Sequence, residues 1–275
     1  MKFFVAAIAA CTLFGTVNSM PAVAANKTNQ IKFVYVPPED PDLKEVYEKL
    51  KSRRVLERLK EFLKPFKLPR PLTFRLSDCD GEDDAFYGDD QITICYEYVD
   101  ELWYHMPKRK TRAGVAPIDA VVGPFFDTSL HEFAHALIEM YELPVLGRLE
   151  DAADQVAAYI YLQLGPEESR RLVKGTAYAY LTEAKRERTK SWKQFWDEHS
   201  TPAQRAYNVM CIAYGADTKL FSDLVSKKFL PEERAELCEE EYEQIQDAYE
   251  ELIQPHVDEA LAEKVFSRTW WRKAP

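Results

Sequence analysis

The spacing of hydrophobic residues divides the chain into a short strand-forming part and a long helical part. Residues 31–36, 71–77 and 91–98 are rich in β-branched and aromatic side chains, so each predicts a β-strand. Residues 43–63 carry apolar side chains at helical spacing beside a densely charged face, and the pattern is helical almost throughout after residue 166. The pattern therefore predicts an α+β fold, with a small antiparallel or mixed sheet near the N-terminus and a mostly helical C-terminal part.

Two amphipathic segments in the middle of the chain predict a pair of antiparallel helices. Residues 125–141 carry apolar side chains at helical spacing, at Leu130, Phe133, Ala134, Leu137, Ile138 and Tyr141. We expect this helix to begin after Gly123 and Pro124, with Asp127 as its N-cap. Residues 148–164 repeat the pattern, and the short connection lets the two helices pack against each other.

The first of these helices contains the sequence His131-Glu132-Phe133-Ala134-His135. Two histidines four residues apart lie on the same helix face, so both imidazoles can bind one metal ion. The intervening glutamate lies next to them, where it can take a proton from a water molecule on the metal. This arrangement is typical of zinc metallopeptidases, and it predicts one Zn²⁺ ion as the cofactor.

The second helix begins with an acidic cluster, Glu150-Asp151-Ala152-Ala153-Asp154. A catalytic zinc site needs a third protein ligand, and Glu150 is our candidate. Asp154, one turn later, would then fix a ligand histidine through its other ring nitrogen, and Asp151 would also lie beside the ligands. Asp151 or Asp154 as the ligand itself is the alternative. The extended metzincin motif is excluded, because it needs glycine and histidine at the positions of Ile138 and Tyr141.

Three polar residues near the start of a later predicted helix are candidates for stabilising negative charge on a substrate oxygen: His199, Arg205 and Tyr207. Each could instead be structural, as a capping histidine, a salt-bridged arginine or a core tyrosine. The strand at residues 91–98 is our candidate for the edge strand that pairs with a peptide substrate. Residues 104–122, with a basic run at 108–110, could be a lid or a plain connection.

The first 24 residues have the features of a secretory signal peptide. Lys2 is followed by an apolar run at residues 3–14, and an Ala-Val-Ala pattern ends at Ala24. We therefore expect export, to the periplasm or to the medium. The apolar run is short for a membrane span, and no later stretch approaches that length, so we expect no stable membrane insertion.

We expect the mature chain, residues 25–275, to form one metallopeptidase-like domain. Residues 25–165 would hold the sheet and the metal-binding helices, and residues 166–275 would form a helical subdomain. The formal net charge of −10 makes the chain a poor candidate for binding nucleic acid.

Four cysteines remain after removal of the predicted signal: Cys79, Cys95, Cys211 and Cys238. An even number in an exported chain favours disulfides over a thiolate zinc site, for which a Cys-x-x-Cys pair is missing. Three pairings are possible. Pairing Cys79 with Cys95 and Cys211 with Cys238 is the economical one, because the first two flank a turn between strand-like runs and the last two lie in neighbouring predicted helices.

Several further motifs accompany the metal motif along the chain. They are Phe33-Val34-Tyr35-Val36-Pro37-Pro38, Ala85-Phe86-Tyr87, Ile94-Cys95-Tyr96-Glu97, Leu143-Pro144-Val145-x-Gly147-Arg148, Glu198-His199-Ser200, Gln204-Arg205-x-Tyr207-Asn208, Tyr214-Gly215 and Leu230-Pro231-x-x-Arg234-Ala235. The set resembles a family of uncharacterised exported bacterial metallopeptidases. The resemblance implies a zincin-like fold of the glutamate-ligand type and the same two disulfide pairs. Ala134 is a departure, since the family typically has glycine before the second histidine.

The sequence thus predicts an exported zinc metallopeptidase that hydrolyses peptide bonds with Glu132 as general base. Two other classes remain open. One is a zincin-like module that binds a peptide or protein without cleaving it, and the other is a zinc hydrolase of a non-peptide substrate. Glu132 argues against the first class, because a binding module does not need a general base.

Overall fold

The computed structural model describes residues 30–186 and 192–270, so the predicted signal peptide at residues 1–24 lies outside the described residues. The strands are β1 (Ile31–Tyr35), β2 (Leu72–Ser77), β3 (Ala85–Gly88) and β4 (Gln91–Cys95). The helices are α1 (Lys44–Ser52), α2 (Val55–Phe62), α3 (Tyr96–His105), α4 (Asp119–Met140), α5 (Leu149–Leu162), α6 (Pro166–Arg186), α7 (Lys193–Trp196), α8 (Pro202–Ala216), α9 (Ser222–Ser226), α10 (Glu232–Ala235), α11 (Cys238–Leu252) and α12 (Glu259–Phe266). The α+β prediction is therefore confirmed at this level.

The strands form one mixed sheet with the order β1-β2-β4-β3. β1, β2 and β4 are parallel, whereas β3 runs antiparallel to β4. The prediction of an edge strand at residues 91–98 was wrong. β4 lies between β2 and β3 with Ile92 and Ile94 fully buried, and the chain turns into α3 at Tyr96. The strand at this edge of the sheet is β3.

Helix α4 connects the sheet to the later helices. Its apolar face packs on the core, where the ring of Phe133 lies 5.0 Å from that of Phe66 and 6.5 Å from that of Phe74. His131, two positions before Phe133, is therefore directed to the other side of α4, away from these rings. Helices α5 and α6 both pack along α4, so residues from both predicted halves of the chain surround it. The division into subdomains stays a prediction.

The start of α4 differs from the prediction. The helix begins at Asp119 and contains Pro124, so Asp127 is an interior residue and not an N-cap. The reason is tertiary packing. Gly175 of α6 crosses α4 so closely that a Cβ there would overlap the carbonyl oxygen of Asp119, and a Cβ on Gly123 would overlap the backbone of α6. This close crossing stabilises helical turns that the local Gly-Pro signal disfavours.

The cysteine pairing is confirmed. Cys79 and Cys95 form one disulfide with a Cα–Cα distance of 5.5 Å, and Cys211 and Cys238 form another with a distance of 5.1 Å. The first disulfide anchors the loop before β3, and the second joins α8 to the start of α11. Within residues 30–186 and 192–270, no helix combines the length and the apolar character needed to cross a membrane.

Candidate metal centre

The candidate site lies between α4 and α5. His131 and His135 occupy successive turns of α4, and both are largely buried. Glu150 is the second residue of α5, at the point where the chain returns beside α4. The short connection between the helices thus brings a carboxylate from the first turn of α5 to the histidine face of α4.

The potential ligand atoms of these three residues form a small triangle. Nε2 of His131 lies 2.9 Å from Oε2 of Glu150, Nε2 of His135 lies 3.1 Å from the same oxygen, and the two nitrogens are 3.1 Å apart. Two ligands of a tetrahedral zinc ion, each about 2.0–2.1 Å from the metal, are about 3.3 Å apart. Two imidazole nitrogens and a carboxylate oxygen that converge at nearly this spacing fit a zinc ion.

Asp154 contacts His131 through the ring nitrogen that is not part of this triangle. Its Oδ1 lies 2.7 Å from Nδ1 of His131, so a proton on Nδ1 leaves Nε2 free to bind a metal. Arg205 of α8 binds the same carboxylate twice, with Nε 2.8 Å from Oδ2 and Nη2 2.6 Å from Oδ1. Burial alone would raise the pKa of Asp154, but Arg205 and His131 hold that pKa at about 2. The side chain is therefore an anion at neutral pH.

Glu132 lies beside the triangle and is only 6% exposed. Burial raises its pKa to about 7, although the nearby His131 and His135 act in the opposite direction. The carboxylate lines a cavity of about 510 Å³ whose walls include Asp84, Tyr98, Tyr178, His199 and Arg205. A carboxylate in this position can accept a proton from a molecule bound in the cavity and release it again.

His199 and Arg205 both line this cavity, as does His131 itself. Nε2 of His199 lies 2.8 Å from Oε2 of Glu150, and its ring stacks on that of His131 with the centroids 5.9 Å apart. The hydrogen bond to Glu150 raises the pKa of His199, although burial opposes the shift. Burial alone would also raise the pKa of Glu150, but its contacts with the three histidines hold it well below its usual range.

The structure does not place Tyr207 or Asp151 where the sequence led us to expect them. Tyr207 is 38% exposed and is not among the described residues that line the cavity. It lies two positions after Arg205, which turns it about 200° around the helix axis. Oδ1 of Asp151 accepts a hydrogen bond from Oγ of Ser200 at 2.7 Å. Asp151 thus points to the segment before α8, and the group of possible ligand atoms contains Glu150 instead.

Two residues near the site were not predicted as part of it. Asp127 is buried one turn before His131, and its Oδ2 accepts a hydrogen bond from the hydroxyl of Tyr180 at 2.9 Å. The ring of Tyr180 in turn lies 4.5 Å from the guanidinium carbon of Arg205. Burial and the neighbouring Asp154 raise the pKa of Asp127 to about 6. Its four-residue spacing from His131 is a signal that the sequence carried, whereas Tyr180 has no such local signal.

Comparison with known proteins places the whole of this site inside one family match. The model of a family described as "Putative metallopeptidase" (DUF4344) matches residues 35–253 of the chain. No curated protein and no solved structure matches the chain.

Proposed function

Since the chain belongs to this "Putative metallopeptidase" family, we propose that it is an exported, zinc-dependent peptidase with a zincin-like fold. The observation that carries the proposal is the convergence of ligand atoms from His131, His135 and Glu150 beside the buried carboxylate of Glu132. Two disulfides support an oxidising compartment such as the periplasm or the exterior.

The proposed chemistry divides between the metal and Glu132. A zinc ion held by His131, His135 and Glu150 would polarise the scissile carbonyl and lower the pKa of a water molecule. Glu132 would accept the proton of the attacking water and pass it to the leaving nitrogen. Its burial in the wall of the cavity suits a group that must take up a proton from water and release it to the substrate.

We assign His199 and Arg205 different roles. Nε2 of His199 lies 2.8 Å from Oε2 of Glu150. With that oxygen bound to zinc, the Nε2–H of His199 would be free to donate to a neighbouring substrate oxygen that gains negative charge. Nε and Nη2 of Arg205 are both committed to Asp154, so Arg205 would act through that carboxylate and orient His131. Tyr207 faces away from Arg205 and has no part in the proposed mechanism.

The substrate would lie along β3. This strand is at the edge of the sheet and packs against α4, and Ala85 and the preceding Asp84 line the cavity that contains Glu132. An extended peptide can pair with such an edge through backbone hydrogen bonds, which brings its scissile bond past the metal site. Edge pairing of this kind favours peptide bonds over other substrates.

The experiment that tests the proposal is cleavage of an unbiased peptide library, read by mass spectrometry. The zinc-loaded protein is compared with Glu132→Gln and with Glu243→Gln, which makes the same change of charge at an exposed position of α11, outside the described lining of the cavity. We expect cleavage by the wild type and by Glu243→Gln, and a loss of at least about 100-fold for Glu132→Gln.

Two results would contradict the proposal. If folded, zinc-loaded protein cleaves no peptide in a broad library, a binding module or a hydrolase of another substrate becomes the better description. If Glu132→Gln cleaves as fast as the wild type, the activity does not come from this site.

A further inference from the structure

The segment that carries His199 is fastened to the first turn of α5 by several polar contacts. Oγ of Ser200 donates a hydrogen bond to Oδ1 of Asp151 at 2.7 Å. Nη1 of Arg148 lies 3.4 Å from the same hydroxyl, and Nη2 of Arg148 donates to the carbonyl oxygen of Asp197. These contacts hold the chain on both sides of His199. We call the set formed by Arg148, Asp151, Asp197 and Ser200 the latch.

The latch matters because apolar packing provides little support on the N-terminal side of His199. Trp192, Phe195 and Trp196 are 77%, 72% and 73% exposed. The side chain of His199 is itself 41% exposed, whereas Ser200 is buried. A segment with so few buried apolar contacts opens easily unless specific hydrogen bonds hold it.

The latch also fixes His199 relative to the metal ligands. Glu150 lies between Arg148 and Asp151 in the chain, so one helical turn supplies both the proposed third ligand and the anchoring points of the His199 segment. A shift of the backbone at residue 199 away from Glu150 would have to break the contacts at Asp197 or Ser200. The backbone from which Nε2 of His199 reaches Oε2 of Glu150, at 2.8 Å, is therefore held by the same short piece of chain that carries Glu150.

We propose that Asp151 and Ser200 are positioning residues, which hold His199 where it can donate a hydrogen bond to the substrate. This inference rests on the proposed function of His199 in peptide hydrolysis. It gives Asp151 a role other than metal binding, since its Oδ1 is engaged by Ser200. Asp151 and Ser200 act on the reaction only through His199.

The test uses Ser200→Ala and Asp151→Ala in the full zinc-loaded protein, with Ser222→Ala as a control for loss of a surface hydroxyl. We expect kcat to fall about tenfold in each latch variant, the factor for one hydrogen bond to a charged group, with little change in KM. Zinc affinity, measured by competition with a chelator, should stay within about threefold of the wild type. Ser222→Ala should leave all three quantities unchanged.

Two further measurements separate positioning from a general loss of structure. In a His199→Ala background, Ser200→Ala should cause no additional loss of kcat, because the latch no longer has a group to position. Hydrogen exchange read by mass spectrometry should be about tenfold faster in a peptide that covers residues 195–200 of Ser200→Ala, while peptides of α4 keep their rates. This readout does not depend on enzymatic activity.

The inference is overturned if exchange in residues 195–200 is unchanged, or if Ser200→Ala lowers kcat equally with and without His199. It is also overturned if Asp151→Ala lowers zinc affinity by more than about tenfold, since Asp151 would then be a ligand or the support of one. If the wild type binds zinc but cleaves no peptide, the proposed function fails, while the exchange measurement still decides whether the latch holds the segment.

Discussion

Asp154→Asn is the substitution whose effect follows most directly from the geometry. The side chain of Asp154 is only 12% exposed, and it contacts Nδ1 of His131 at 2.7 Å and Arg205 at 2.6 and 2.8 Å. Asparagine has nearly the same shape but lacks the charge and one acceptor oxygen. The variant therefore keeps the packing and loses the electrostatic part of three hydrogen bonds.

Two losses are expected, and they have different sizes. Replacing the support of a metal-binding histidine typically lowers metal affinity about 10- to 100-fold, so we expect zinc affinity to fall within this range. Removing the charge also leaves the guanidinium of Arg205, whose side chain is 17% exposed, without its ionic partner. Breaking a buried ion pair in this way costs about 3–5 kcal/mol, and we expect the lower end because asparagine retains one acceptor.

Chelator competition gives the zinc affinity, and urea denaturation of the metal-free protein gives the free energy of unfolding. Asp247→Asn, an exposed position on α11, is the matched control and should change neither quantity. If Asp154→Asn bound zinc as tightly as the wild type, the proposed role of Asp154 in orienting His131 would be refuted.

Three further predictions concern other parts of the molecule. Gly175→Ala should lower the free energy of unfolding, measured by urea titration, by at least about 3 kcal/mol, because the new Cβ overlaps the carbonyl oxygen of Asp119. Gly165→Ala is the control and should be nearly neutral, because the space around Gly165 is open. Burial alone would raise the pKa of Asp223, but Lys174 and a neighbouring arginine lower it from 3.8 to about 2. An acid whose pKa is lowered by folding stabilises the fold at pH values above its unfolded-state pKa. Asp223→Asn should therefore be less stable than the wild type at pH 7 by on the order of 1 kcal/mol, and the difference should shrink as pH falls from about 4 through about 2. A difference as large at pH 2 as at pH 7 would contradict the assignment. Removing zinc with a chelator should lower the midpoint of thermal unfolding and abolish peptide cleavage, and added zinc should restore both; an unchanged midpoint would argue against metal binding at the site.

The residues of the site that lie close together along the chain could be predicted from the sequence. His131, Glu132 and His135 could be predicted from their spacing along one helix. The structure brings Oε2 of Glu150, from the returning helix, to within 3.1 Å of Nε2 of both histidines. Residue spacing along one helix, or across a short turn between two helices, fixes which side chains can meet. The disulfide pairs were predictable for the same reason, since each pair joins segments that are close along the chain.

The remaining features depend on contacts that no local pattern encodes. The start of α4 is determined by its crossing with Gly175, which lies far along the chain from Asp119. The order of the strands depends on how the chain folds back after β2, so alternation alone could not show that β4 is internal and β3 is the edge. Arg205 was predicted near the substrate, but its position depends on where α8 packs, and that packing directs its Nε and Nη2 to Asp154.

We propose that His131, His135 and Glu150 bind one zinc ion. The most direct test is a crystal structure of the zinc-loaded protein, with anomalous diffraction recorded on both sides of the zinc absorption edge. We expect one strong peak about 2.0–2.2 Å from Nε2 of each histidine and from a carboxylate oxygen of Glu150. A peak elsewhere, or one coordinated by Asp151 while Glu150 points away, would contradict this ligand set.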